Sequence, residues 1–171
     1  MLWEEDPNSD YCYMFNTDAL DWEDSREMCM THGGDLASII TREEGFYINA
    51  RIQSIGGPTL FNAFWIGAND RSSEGGWRWS DGGPFAYLNW GPDTIMFVPK
   101  SEPNDNKHNE DCGNIVYKST EHTVTWNDGQ CTNRLGYICK KLGLLSSTTR
   151  KPTPSPTPPC KYCKNKHGVW M

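Results

Sequence analysis

The sequence has no apolar run approaching the length of a bilayer-spanning helix. Its start, Met1-Leu2-Trp3-Glu4-Glu5-Asp6, has neither the basic nor the apolar region of a signal peptide. It has no basic excess either. The net charge is -6, which argues against nucleic acid, since neutralising phosphates needs a basic face. There is no Gly-x-Ser-x-Gly elbow, no glycine-rich phosphate loop and no His-Glu-x-x-His helix, so no catalysis is expected. A glycosidase would need one carboxylic acid of raised pKa facing a second carboxylate, whereas carboxylates held on a cation stay ionised. No internal repeat is present.

What is there suits one domain with a tail: 171 residues, 36% of them apolar. Eight tryptophans and seven tyrosines imply a compact core of large buried rings. Seven cysteines (Cys12, Cys29, Cys112, Cys131, Cys139, Cys160 and Cys163) suggest disulfides and an oxidising, extracellular setting. Zinc is the alternative at Cys160-Lys161-Tyr162-Cys163. It needs four ligands, and only His167 offers a third nearby.

Asp21 reads as a helix cap, with Glu23 and Asp24 in the first turn and Trp22, Ser25, Cys29 and His32 on one face. Gly33-Gly34 ends that helix. Thr41-Arg42-Glu43-Glu44 reads as a capping box for a second helix with Ile48, Ile52 and Ile55 as its stripe, stopped by Gly56-Gly57-Pro58. Short strands are expected at Phe64–Gly67, Trp77–Ser80, Ile115–Tyr117, Thr123–Trp126 and Tyr137–Cys139. Helices first and strands later point to an α+β fold. Residues 1–10 are an N-terminal remnant and 11–141 the domain. Residues 142–159 form an extended Pro/Ser/Thr-rich linker suited to O-linked sugars, and 160–171 open a truncated following segment.

Between about 67 and 111 the chain is irregular and dense in oxygen ligands. Such a stretch inside a compact domain is usually functional. Asp70 and Glu74 are followed by Glu102, Asn104, Asp105, Glu110, Asp111, Asn127 and Asp128. Calcium takes six to eight oxygens from carboxylates, amide carbonyls and water, and loops can supply them from several directions. The regular ligand spacing of an EF-hand is missing. In Glu102-Pro103-Asn104 a cis peptide would turn both side chains to one point. A carboxylate only accepts hydrogen bonds, while an amide NH₂ donates. Glu102 beside Asn104, with Glu110 beside Asn127, thus frames two neighbouring sugar hydroxyls on one ion.

These residues carry a family resemblance. Cys29 with Gly34-Asp35-Leu36-Ala37-Ser38-Ile39, Phe64-Trp65-Ile66-Gly67, Glu102-Pro103-Asn104, Asn109-Glu110-Asp111-Cys112, Trp126-Asn127-Asp128 and Tyr137-Ile138-Cys139 together resemble the C-type lectin domain, in particular that of the mannose receptor family. The resemblance spans Tyr11 to Lys141. It implies a calcium site of Glu102, Asn104, Glu110, Asn127 and Asp128 that binds mannose, fucose or N-acetylglucosamine. It implies an auxiliary calcium site of Asp70, Glu74, Asp105, Glu110 and Asp111. It implies the disulfides Cys29–Cys139 and Cys112–Cys131. It further implies glycan or glycoprotein partners, use in an endocytic or pattern-recognition receptor of innate immunity, and avidity through multivalency.

Two departures stand out. Gly91 to Ser101 is longer than the family's connection and contains Ile95-Met96-Phe97-Val98. It would cover the site, bind a partner, or reflect mis-splicing, which is the preferred reading. Cys12 matches the second of an N-terminal cysteine pair whose first member is missing, as in a chain truncated at its start. The rival function is a protein-binding module in which calcium only orders the loops. Trp65, Trp77, Trp79 and Trp126 read as core rather than sugar platforms. His108 reads as an exposed loop residue, with a pH switch for sugar release as the sharper alternative.

Overall fold

The computed structural model describes residues 2–55, 61–91, 101–118 and 123–143. Asp21 caps helix α1 (Trp22–Thr31) as expected, its carboxylate accepting the Asp24 N–H at 2.8 Å. That satisfies one of the donors a helix start leaves free. Trp22, Ser25 and Cys29 are buried, but His32 is exposed. It lies just past the last turn, where Gly33 at φ 82 takes the chain out of the helix.

Helix α2 (Arg42–Ile55) starts at Thr41, whose hydroxyl accepts the Glu44 N–H at 3.2 Å. The Glu44 carboxylate reaches back to the N–H of Ile40, at 2.8 Å, rather than to the cap residue. It also accepts the Tyr13 hydroxyl proton and pairs with Lys140 Nζ at 2.5 Å. Lys140 in turn donates to the Ser38 carbonyl at 3.0 Å. Both charges are buried, so their hydrogen bonds are what makes the pair tolerable. Ile48 and Ile52 are buried and Ile55 is half-buried, while the expected stop at Gly56-Gly57-Pro58 lies outside the described residues.

Eight strands are described: β1 (Glu4–Glu5), β2 (Tyr11–Leu20), β3 (Asp35–Leu36), β4 (Phe61–Asn69), β5 (Arg78–Trp79), β6 (Cys112–Lys118), β7 (Thr123–Gly129) and β8 (Leu135–Leu142). They form one mixed sheet in the order β1-β2-β8-β4-β6-β7, with β3 on β8 and β5 on β4. The pairing of β4 with β8 is parallel, setting Phe64 beside Gly136 and Trp65 beside Tyr137. The two helices and this sheet make the α+β fold.

Successive residues of a strand point to opposite faces, and here both faces are covered. Tyr13, Phe64 and Ile138 pack with Ile48 and Ile52 of α2. Their neighbours Met14, Trp65 and Tyr137 pack with Trp22 and Cys29 of α1. The Cys29–Cys139 disulfide ties α1 to β8, and Cys112–Cys131 ties the start of β6 to the turn after β7. Among the described residues Cys12 has no disulfide partner; it is only 6% exposed, and burial pushes its pKa up. Cys160 and Cys163 lie outside the described residues.

Candidate functional site

The sheet delivers two acidic clusters to one end of the molecule. β4 ends at Asn69 opposite Cys112, the first residue of β6. Directly beyond, the Asp70 N–H donates to the Asp111 carbonyl at 3.1 Å. The turn after β4 then brings Glu74 round, so that Asp70, Glu74 and Asp111 each offer an oxygen within 4.8 Å of the others. Asp70 is 2% exposed. One carboxylate oxygen accepts the Gly75 N–H at 2.9 Å; the other has no hydrogen-bond partner among the described residues. Burial pushes the pKa of Asp70 up, and the charges of Asp111 and Asp128 add to this, against the pull of the Gly75 N–H. Glu74 is raised by desolvation and then by Asp70, Asp105 and Asp111. A buried, unmatched oxygen among crowded carboxylates suits a hard divalent cation with all-oxygen ligands, and calcium fits that donor set.

The second cluster is built on the turn from Ser101 to Asp111. The Glu102–Pro103 peptide is cis, and the Asn104 amide donates to the Glu102 carboxylate at 2.6 Å. The Asp128 side chain, 1% exposed, pins this turn to β7. It accepts the N–H groups of Asn104 at 3.1 Å and Asp105 at 2.7 Å. Asn127 is half-buried, its amide turned to the Asp128 carbonyl. Glu110 is held from the far side: its N–H donates to Asp105 at 3.3 Å and its carboxylate accepts the Asn106 N–H at 2.9 Å. Asp105 sits at φ 45 and His108 at φ 56, with His108 Nδ1 2.9 Å from the Asp105 carboxylate. That hydrogen bond holds the Asp105 carboxyl below the usual carboxylate range.

A family model described as "Lectin C-type domain" matches residues 18–141. The chain belongs to the C-type lectin domain family. It is 35% identical over 168 residues to C-type mannose receptor 2 of Homo sapiens, covering 96% of this chain and 10% of that protein. It is 32% identical to the galactose-specific lectin nattectin of Thalassophryne nattereri, covering 76% of this chain and 73% of nattectin. Among solved structures, the mouse scavenger receptor C-type lectin carbohydrate-recognition domain matches with TM-score 0.64 and 30% identity, over 83% of this chain and 94% of that one. The chain thus spans only a small part of the mannose receptor it matches. C-type lectin domains of this kind are carbohydrate-binding and not enzymes.

Within this C-type lectin, the residues singled out from the sequence fall into two groups. Glu102, Asn104 and Asp128 are joined directly by hydrogen bonds, Asn127 is adjacent on β7, and Glu110 is linked through Asp105 and Asn106. Asp70, Glu74 and Asp111 converge. Asp105 is engaged with Glu110 and His108 instead, and acts on Glu74 only through its charge. Trp65, Trp79 and Trp126 are buried, whereas Trp77 is half-buried and packs edge-on against Trp90, ring centroids 4.7 Å apart.

Sequence reasoning missed the neck of the long connection. The Glu102 N–H donates to the Gly91 carbonyl at 2.8 Å, and the Gly91 N–H to Trp126 at 2.9 Å. A side chain on Gly91 would meet the Thr125 hydroxyl at 2.5 Å, so only glycine lets the chain approach β7 this closely. Residues 92–100, with the apolar Ile95–Val98 run, lie outside the described residues. The signal for the neck was a glycine directly after the apolar Trp90.

Proposed function

We propose that this domain, residues 11–141, binds terminal mannose-class sugars (mannose, fucose or N-acetylglucosamine) in a calcium-dependent manner through Glu102, Asn104, Glu110, Asn127 and Asp128. The observation carrying this reading is the Asn104 amide set on the Glu102 carboxylate while the backbone beneath them is pinned to buried Asp128. When bound, calcium supplies a coordination point for two adjacent sugar hydroxyls. Around it, Glu102 and Glu110 offer acceptors, and Asn104 and Asn127 offer amide donors, so each hydroxyl can both give and take a hydrogen bond. Buried Asp128 keeps the frame rigid, which lowers the ordering cost of binding. Asp70, Glu74 and Asp111, with Asp105 and Glu110 at their edge, form a second calcium site. The crowding of these carboxylates and the unmatched Asp70 oxygen support it.

One exposed ion holding two hydroxyls buries little surface, so useful avidity comes from several copies or domains. The two disulfides suit an extracellular ectodomain. The partners are therefore mannose-type glycans or glycoproteins met by an endocytic or pattern-recognition receptor, with residues 142–159 as a spacer. The test is retention on mannose–agarose in millimolar calcium. Chelator and free mannose should elute the protein, galactose should not, and Glu102→Gln should not be retained. Retention that survives chelator, or elution by galactose, overturns the reading.

A further inference from the structure

A cavity of about 280 Å³ opens between the turn that joins β1 to β2 and the start of α2, and no residue of either acidic cluster lines it. Asp6 faces it from the turn, Tyr11 from the first position of β2, and Ile40, Glu43 and Glu44 from the approach to α2 and its first turn. Asp6 is 3% exposed and held in place. Its N–H donates to the Tyr11 carbonyl at 3.0 Å, and its Oδ1 accepts the Asn8 N–H at 2.9 Å. Among the described residues its other carboxylate oxygen has no hydrogen-bond partner, and no cation pairs with it. A carboxylate withdrawn from bulk water needs a countercharge or more donors than one backbone N–H supplies. Glu43, on the exposed rim, has no ion-pair partner among the described residues either. Glu44 is matched by Lys140 Nζ at 2.5 Å, so Asp6 and Glu43 leave the cavity negative. These carboxylates do not converge as Asp70, Glu74 and Asp111 do, whose oxygens lie within 4.8 Å of one another. A bare metal ion would find too few oxygens at one point.

We propose that this cavity binds an alkylammonium group, as carried by a lysine side chain of a protein ligand or by a free amine, with buried Asp6 as its anchor and Glu43 at its rim. An ammonium has three N–H donors to spread over acceptors set apart from one another, and no acceptor of its own. Its apolar stem finds Ile40 and the Tyr11 ring as a wall. That ring already meets one ammonium, Lys140 Nζ, at 4.0 Å from its centroid. Asp6 is fixed by its turn before any ligand arrives, so little ordering is left for binding to bring about. The site is separate from the sugar frame and does not depend on it.

The test follows amide shifts of the ¹⁵N-labelled full chain on titration with n-butylammonium, Nα-acetyl-lysine methylamide and, as the neutral match, n-butanol. Wild type should show saturable shifts within residues 6–11 and 40–44, at roughly millimolar affinity for a ligand of so few atoms. Asp6→Asn keeps an oxygen for the Asn8 N–H and removes the charge, so affinity should fall about tenfold, as for a lost hydrogen bond to a charged group. Glu43→Gln should weaken binding less, and Glu27→Gln, on exposed α1 surface, should leave it unchanged. An acetyl-lysine arm that binds as well as n-butylammonium identifies the source as a protein side chain; binding of n-butylammonium alone identifies it as a free amine. The proposal is overturned by equal shifts with n-butanol, by shifts that do not saturate or scatter over the acidic surface, or by Asp6→Asn binding as wild type does. If the amide spectrum shows Asp6→Asn unfolded, Glu43→Gln decides, and undiminished binding there overturns the proposal.

Discussion

Replacing Asp70 with asparagine should stabilise the calcium-free protein and blunt its response to calcium. Asp70 is 2% exposed, and one of its oxygens has no hydrogen-bond partner among the described residues. Leaving a buried polar group unmatched costs about 1–3 kcal/mol, and more when it is charged. Asparagine keeps the shape and the oxygen that accepts the Gly75 N–H, and it sheds the charge that Asp111 and Asp128 oppose. Its new NH₂ would face the neighbouring carboxylates as a donor. The gain should fall near the low end, about 1 kcal/mol, or a Tm rise of about 3 °C in chelator for a domain of this size. Calcium should reverse the order. Binding at one hundred times Kd stabilises wild type by about 2.7 kcal/mol, and the variant loses part of that. The pH dependence has a definite sign. The folded-state pKa of Asp70 is raised above 3.8, so the folded protein holds more protons than the unfolded chain across that window. Stability from this group therefore falls as pH rises through the window. The advantage of asparagine is full at neutral pH and disappears below 3.8, where the carboxyl is neutral in both states. Thermal melts in chelator and in calcium, at neutral and acid pH, read all three effects. A variant that melts lower than wild type in chelator at neutral pH, or shows an undiminished calcium shift, refutes the reasoning.

Lys140→Met should destabilise the fold by about 3–5 kcal/mol in urea denaturation, because it strands the buried Glu44 carboxylate. Adding Glu44→Gln should recover most of that loss; a double variant no better than the single one would show that the pair acts through packing alone. Replacing residues 92–100 with a short glycine link should leave the melting temperature and calcium titration unchanged, since Glu102 and Gly91 already close the neck. Loss of calcium uptake in that variant would place the segment in the site.

How much of this was legible in the sequence depends on whether a feature is written locally. Both helices were, because Asp21, Thr41 and Gly33 act on their immediate neighbours. Strand β2 was not. Cys12, Tyr13 and Met14 are all buried, so the alternation that marks a one-sided strand is absent. β4, β6, β7 and β8 were visible only as short apolar cores and run longer in the structure. His32 kept the helical spacing but lies one residue past the helix end, a boundary that spacing alone does not set. In the site, residue types and spacing were readable from the loop, but partners were not. Asp105 and Glu110 can each serve either cluster by type, and only the turn geometry commits Asp105 to His108 and Glu110.

The site owes its shape to the core beneath it more than to its own loop. Trp126 lies edge-on to Trp79, Tyr87 and Trp90, with ring centroids 5.4, 5.6 and 5.7 Å away. A ring packed on so many sides fixes the position of β7, and the strand carries Asn127 and Asp128 on from it. Asp128 then holds the Glu102–Asp105 turn through two backbone N–H groups, and Gly91 holds the same turn from its other side. An irregular stretch anchored at both ends to a rigid strand has few conformations left to lose when a ligand arrives. Truncating Trp126 should therefore disturb ligand geometry as well as stability, whereas changes among residues 92–100, beyond the closed neck, should leave that geometry intact.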